Sequence, residues 1–285
     1  MEKRKAHVFL ILAICIWGSS FIASKIALRS FSPLLLCFLR FAVSSAAMLL
    51  MRFFKGSVQK PSGKDWKYLL LSSLCGISLY YTIESLALSR TSAADASLIS
   101  AVYPLITILI GLLFFRLQVS QKEVIGIVLG VAGVILLTAS SNREDSSVLG
   151  NLLIAFNGCL WAMFNYMTQK ISEDMDDFSI TYLQTMIGTV FFIPLMFLEK
   201  PAISNISLSS VLAVLYLSLI CSLSALFLYN AGLRQISAAR AASLMNLMPV
   251  AGVILSVSIL SESVSLRHIL GGALIIFGVL LSARE

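Results

Sequence analysis

Charge is scarce in this sequence. Asp, Glu, Lys and Arg together make up 12% of its 285 residues, about half the share in soluble domains. A chain so poor in charge is not an ordinary water-soluble globule. Histidine is nearly absent: His7 and His268 stand far apart, and no HExxH pair exists. There is no GxSxG turn and no phosphate-binding loop, so hydrolase chemistry and direct drive by ATP are excluded. The five cysteines (Cys15, Cys37, Cys75, Cys159, Cys221) are odd in number, lack CxxC spacing and lie inside apolar runs. They read as small core residues, not as a disulfide framework or a metal site. The sequence therefore reads as a non-enzyme with no metal and no cofactor. No polar connection is long enough to form a nucleic-acid-reading module, so the net charge of +7 does not imply nucleic-acid binding.

What the chain has is apolar length. Hydrophobic residues make up 58% of it, and mean hydropathy is +0.93. The apolar residues come in blocks of about 20, enough to cross a bilayer as helices. A β-barrel would show alternating strands of ~10 residues instead. Ten spans are predicted, at about 8–28, 33–54, 66–88, 93–115, 120–139, 148–170, 178–198, 208–232, 238–260 and 265–283. Lys3-Arg4-Lys5 before the first apolar run resembles a signal peptide. No convincing cleavage site follows, and the run is read as an uncleaved first helix. With the N-terminus in the cytoplasm, most basic residues fall in cytoplasmic loops, including Arg52, Lys55, Lys60, Lys64 and Lys67. That bias places both termini inside a cell membrane.

The chain also repeats itself. Ser92-Ala93-Ala94-Asp95-Ala96, running on to Pro104, matches Ser237-Ala238-Ala239-Arg240-Ala241, running on to Pro249, at an offset of 145 residues. At an offset of 144, Trp17 meets Trp161 and Arg40 meets Gln184. Each half holds five predicted spans. Five is odd, so the second half enters the membrane from the opposite face. The expected fold is an all-α membrane protein of ten transmembrane helices in two inverted five-helix repeats, residues 1–143 and 144–285. That plan is common among secondary transporters, with the solute site near the midplane.

Trp17-Gly18-Ser19-Ser20-Phe21, the two Ser-Ala-Ala-x-Ala-to-Pro stretches, and Glu262 followed by Gly271 and Gly278 carry a resemblance. The chain resembles the drug/metabolite transporter superfamily, specifically its EamA-type ten-helix members, over nearly its whole length. The resemblance implies export of amino acids or related metabolites. In such families the acid between spans nine and ten recurs between spans four and five, where this chain has Leu117.

The candidate pocket residues follow from helical spacing. Asn157, Trp161, Asn165 and Gln169 are spaced by four and share a face. Amides facing lipid would be costly, so the stripe faces a cavity or glues helices together. Trp17 and Phe21 form the matching stripe in span one. Tyr80, Tyr81, Tyr103, Tyr229 and Asn246 complete an aromatic, amide-rich pocket suited to a zwitterion or an aromatic metabolite. Arg40 and Glu84 lie at similar depths and are expected to pair or to share a vestibule; Lys25 and Asp95 lie near the same outer level. Pro104 and Pro249 are expected to act as helix hinges. Glycines of spans five and ten, among them Gly126, Gly133, Gly271 and Gly278, indicate close helix packing or a homodimer face. Two function classes remain: alternating-access export of a small organic solute, or a non-transporting membrane sensor or lipid-interacting scaffold.

Overall fold

The computed structural model describes residues 3–138, 147–196, 198–238, 241, 244–245 and 248–282. These residues form helices; among them the only strand-like contact is one isolated bridge, between Phe31 and Ile203. In chain order the helices are α1 (Arg4–Ala27), α2 (Pro33–Phe54), α3 (Gly63–Leu88), α4 (Ala93–Ser100), α5 (Tyr103–Phe115) and α6 (Gln121–Thr138). There follow α7 (Val148–Gln169), α8 (Asp177–Met196), α9 (Leu208–Leu233), α10 (Met248–Leu260) and α11 (Leu266–Ser282). Large apolar side chains such as Val128, Ile135 and Phe277 point outward and are exposed. Such a surface suits lipid, and the protein is a membrane protein with multiple apolar spans.

Seven helices are long and apolar enough to cross a bilayer, or eight when α4 and α5 count as one bent span. The sequence predicted ten. Residues 239–240, 242–243 and 246–247 lie outside the described residues, which leaves α10 with 13. Helix α11 has 17 residues. It rises about 26 Å, against about 30 Å of hydrocarbon.

The break in the fourth predicted span corrects the hinge expectation in detail. Helices α4 and α5 meet at 43°, and the break falls at Ala101 and Val102. Pro104 is the second residue of α5, where its missing N–H removes no helix bond. Pro249 follows residues 246–247, which lie outside the described residues, so a helix start is shown at Pro104 alone.

Two helices widen into π-helical turns, at Leu74–Leu79 in α3 and Leu217–Ser224 in α9. The 145-residue offset of the sequence repeat carries the first onto residues 219–224, inside the second. Serines reach five residues back in each region: Ser78 Oγ to Ser73 O at 3.4 Å and Ser224 Oγ to Leu219 O at 2.9 Å. Each widened turn packs on the first two helices of the other half. In α3, a side chain on Gly76 would collide with the Phe164 ring of α7, and Ser78 Oγ donates to Gly188 O of α8 at 3.0 Å. In α9, Ser218 O accepts from Ser44 Oγ of α2 at 2.8 Å.

The two ends of the bundle are fastened differently. At the end that holds the N-terminus, Asp65 Oδ1 accepts from Ser172 N at 2.8 Å, and Arg234 pairs with Asp177 at 2.9 Å. Asp176 accepts from Ser179 N at 2.9 Å and caps α8. At the far end, backbone bonds join the two halves: Ser32 N to Ala202 O at 3.0 Å and Ser204 N to Ser30 O at 2.9 Å. There too, Glu262 caps α4 by accepting from Ala93 N and Ala94 N, both at 2.9 Å.

The glycine faces of α6 and α11 meet each other within the chain. A Cβ on Gly278 would lie 2.6 Å from Gly126 O, and one on Gly133 would lie 2.7 Å from Gly271 O. The packing alternative is therefore what these faces show. Gly278→Leu is expected to lower stability by at least about 2 kcal/mol, because the backbone behind it cannot yield. Gly63→Ala, which meets nothing within 4 Å, is expected to leave the melting temperature unchanged or slightly raised. Thermal unfolding in detergent measures both.

Candidate solute-binding site

Helices α1 and α7 each bring one tryptophan to the centre of the bundle. Trp17 and Trp161 meet edge to face with ring centres 5.2 Å apart. Tyr229 of α9 stands 4.9 Å from Trp17 and 5.1 Å from Trp161. Tyr80 of α3 lies 5.2 Å from Trp161, and Tyr103 of α5 lies 6.4 Å from Tyr80. Five helices thus contribute one aromatic cluster. Such ring pairs add about 0.5–1.5 kcal/mol each beyond their burial. Trp17 is fixed further: its Nε1–H donates at 2.8 Å to Cys221 O, within the π-helical turn of α9.

Beside this cluster lies a narrow cavity of about 10 Å³, lined by Trp17, Ser20, Phe21, Tyr80, Tyr81, Glu84, Trp161, Met245 and Met248. That is room for about one water molecule, so a larger solute needs the rings to part. Phe21, Tyr80, Tyr81 and the two tryptophans are where the sequence expected them. Ser20, Met245 and Met248 were missed, as small or apolar residues without a distinguishing pattern.

The amide stripe of α7 divides into two kinds. Gln169 is structural: its Nε2 donates to Leu233 O at 3.1 Å and Ile236 O at 2.7 Å. Asn165 Oδ1 accepts from the Tyr229 hydroxyl at 3.2 Å, while its Nδ2 has no partner. Among the described residues, both amide atoms of Asn157 and the Nε1 of Trp161 have no partner in strict hydrogen-bonding geometry, although the Tyr103 hydroxyl lies close to Asn157 and the Tyr229 hydroxyl close to Trp161. Leaving such groups unpaired in an apolar interior costs about 1–3 kcal/mol each. Tyr103 is also partly structural, since its hydroxyl donates to Ile154 O at 3.2 Å. Asn246 lies outside the described residues.

Arg40 and Glu84 are both buried, but they form no ion pair within 4.0 Å. The Arg40 guanidinium centre lies 4.2 Å above the Tyr81 ring, and its Nε donates to Ser222 Oγ in the π-helical turn of α9. Among the described residues, its Nη2 has no hydrogen-bond partner. Glu84 lines the cavity instead. Tyr81 and Ser222 hold the guanidinium on the α9 side, which corrects the expectation of a direct pair.

A second buried network escaped sequence reading. Gln184 Nε2 donates to Ser72 Oγ at 2.8 Å and to Thr168 Oγ1 at 2.9 Å. Asn230 Nδ2 donates to Gln184 Oε1 at 2.8 Å and to Thr181 Oγ1 at 3.1 Å. The available signal was the alignment of Gln184 with Arg40: both halves place a strong donor there. Among the described residues, no group of three or more His, Cys, Asp or Glu is placed to hold a metal.

Comparison with known proteins fits this arrangement. The profile of the EamA-like transporter family matches residues 4–139 and again 148–284. A curated relative from Archaeoglobus fulgidus, named "Uncharacterized transporter", is 30% identical over 99% of this chain and 98% of its own. "Uncharacterized transporter YetK" of Bacillus subtilis is 26% identical, covering 98% of this chain and 86% of its own. "Uncharacterized inner membrane transporter YedA" of Escherichia coli is 27% identical, covering 93% and 86%. A solved crystal structure superposes with a TM-score of 0.72 at 20% identity, covering 99% of this chain and 97% of that one. At that identity the likeness shows a shared fold.

The geometry separates packing residues from unpaired ones. Trp161→Ala is expected to cost about 3–5 kcal/mol, because its fully buried ring touches Trp17, Tyr80, Phe164 and Tyr229. Asn157→Leu removes an amide that has no partner in strict hydrogen-bonding geometry among the described residues, and is expected to change stability by less than about 1 kcal/mol. Unfolding of the two variants side by side gives both values.

Proposed function

The chain belongs to the EamA-like transporter family, and we propose that it is a secondary transporter that exports a small organic solute by alternating access. The observation that carries this reading is a set of buried donors near the aromatic cluster that, among the described residues, have no partner in strict hydrogen-bonding geometry: Asn157 Nδ2, Asn165 Nδ2, Trp161 Nε1 and Arg40 Nη2. An assembly selected only for stability would pair such groups or lose them. A solute that reaches the cavity would pair them, which suits a zwitterion or an aromatic metabolite such as an amino acid.

In this reading the protein has ten spans in two inverted five-helix repeats, residues 1–143 and 144–285, with both termini cytoplasmic. The matched π-helical turns and the cross-packing of the halves support the repeat. Transport consists of the two halves rocking about the aromatic cluster, with Pro104 and Pro249 as the hinge prolines. Glu84 sits at the cavity wall as the acid available for proton exchange, and Arg40, stacked on Tyr81, fixes the positive end of the site.

A ligand found by thermal-shift screening of amino acids, amines, nucleosides and organic acids serves as the transport substrate. Counterflow in proteoliposomes is expected to show its uptake. Trp17→Ala, Trp161→Ala and Asn157→Leu are expected to reduce uptake at least tenfold. Glu84→Gln is expected to flatten its pH dependence; an unchanged profile would remove Glu84 from the coupling. A ligand that stabilises the protein but is never moved would make this a sensor or scaffold. For orientation, a C-terminal green fluorescent protein fusion is expected to fluoresce and a C-terminal alkaline phosphatase fusion to be inactive.

A further inference from the structure

The repeat can be followed from contact to contact where the halves cross. A Cβ on Gly232 of α9 would lie 2.9 Å from Ala6 O of α1, and one on Gly150 of α7 would lie 3.1 Å from Ala87 O of α3. Offsets of 144 residues for α1 onto α7 and 145 for α3 onto α9 turn the first contact into the second. The pair α1–α9 is therefore the counterpart of the pair α7–α3.

Two features break that equivalence. At the end that holds the N-terminus, Gln169 of α7 is tied to Leu233 O and Ile236 O, at 3.1 and 2.7 Å. The counterparts of Gln169 and Leu233 are Lys25 and Leu88, and at the far end these two line a chamber of about 480 Å³. At the centre, Trp17 Nε1–H donates at 2.8 Å to Cys221 O, in the π-helical turn of α9. Trp161, its counterpart, has no Nε1 partner in strict hydrogen-bonding geometry among the described residues and stands beside the Tyr229 hydroxyl. The counterpart of Cys221 is Gly76, in the π-helical turn of α3 and against the Phe164 ring, one turn along α7 from Trp161. The counterpart of Tyr229 is Glu84, which lines the same narrow cavity as Trp17.

The two halves thus hold two different arrangements of the same parts. In an inverted repeat, exchanging the arrangements gives a state with nearly the same contacts that faces the opposite way. We propose that Trp17 and Trp161 are the two arms of one switch. In the second state Trp161 Nε1–H donates to Gly76 O, and Trp17 leaves Cys221 O for the Glu84 carboxylate. A π-turn carbonyl holds one indole in either state, so the two states differ little in free energy. A carboxylate accepts more strongly than the hydroxyl of Tyr229, and Glu84 therefore biases the exchange toward the second state. The proposal rests on the inverted repeat of the transporter reading and adds the bonds that change.

The test uses purified full-length protein in detergent with isotope-labelled tryptophan, read by NMR. Trp66→Phe leaves the indole N–H signals of Trp17 and Trp161. Gln169→Ala loosens the end that is tied shut. In it, both indoles are expected to show a second signal, populated to the same fraction and at least about tenfold above the wild type. Arg234→Gln frees the same end from Ser172, Met175 and Asp177 and gives the same reading should Gln169→Ala fail to fold. Adding Glu84→Gln is expected to lower both fractions together. Adding Trp161→Phe, which removes the donor to Gly76 O, is expected to abolish the second signal of Trp17. Unequal fractions, no second signal in either variant, or a Trp17 signal indifferent to Trp161→Phe overturns the proposal. Counterflow in proteoliposomes separates the two claims. If a solute is moved and the indoles change independently, the switch fails and the transporter reading stands. If the indoles exchange together and nothing is moved, the transporter reading fails and the switch stands.

Discussion

Inside a bilayer, a polar atom has no water to turn to, and every donor must find its acceptor within the protein. The bond from the Trp17 indole to the Cys221 carbonyl shows how this chain meets that demand. A regular α-helix keeps its carbonyls occupied by its own ladder. The π-helical turn at Leu217–Ser224 loosens that ladder and presents acceptors sideways. Three side chains from α1 and α2 use it: Trp17 on Cys221 O, Ser44 on Ser218 O and Arg40 on Ser222 Oγ. The corresponding turn in α3 receives α7 and α8 in the same way, through Gly76 and Ser78. Irregular backbone is thus what joins one half of the chain to the other, and the aromatic cluster sits between the two joints.

The buried polar groups divide by their partners. Gln184, Asn230, Ser72, Thr168 and Thr181 form a closed network in which nearly every group is satisfied. Such a network fixes how α3, α7, α8 and α9 pack. Asn157, Asn165 and Trp161 lie on the same α7 and, among the described residues, keep polar atoms without a partner in strict hydrogen-bonding geometry. One helix thus carries both satisfied and unsatisfied polar groups.

Much of this was legible in the sequence. Apolar blocks located the helices because lipid imposes length and composition directly. The four-residue spacing of Asn157, Trp161 and Asn165, with the matching Trp17 and Phe21, picked out side chains that the fold buries, because a helix face is a local property. What sequence could not supply was azimuth. Arg40 and Glu84 were matched by depth, yet depth says nothing about the direction in which a side chain leaves its helix. One extra residue per π-helical turn rotates everything after it by about 100°, and segments such as Leu74-Cys75-Gly76-Ile77-Ser78-Leu79 look like ordinary helix. Ser222 as the partner of Arg40, and Glu262 as a cap 168 residues from Ala94, are products of that hidden rotation and of tertiary packing.

The Glu262 cap has a mechanical consequence. Ser92 holds Asp95 N within its own helix, but the first two N–H groups of α4 depend on a carboxylate from the other half of the chain. Moving the halves apart at this end therefore uncaps α4, at a cost of about 0.5–2 kcal/mol for a lost helix cap. Separation at this end and fraying of α4 are therefore one event. At the corresponding place in the first half stands Leu117, which has no carboxylate to lend, so the side chain at the repeat-related position cannot supply the same cap.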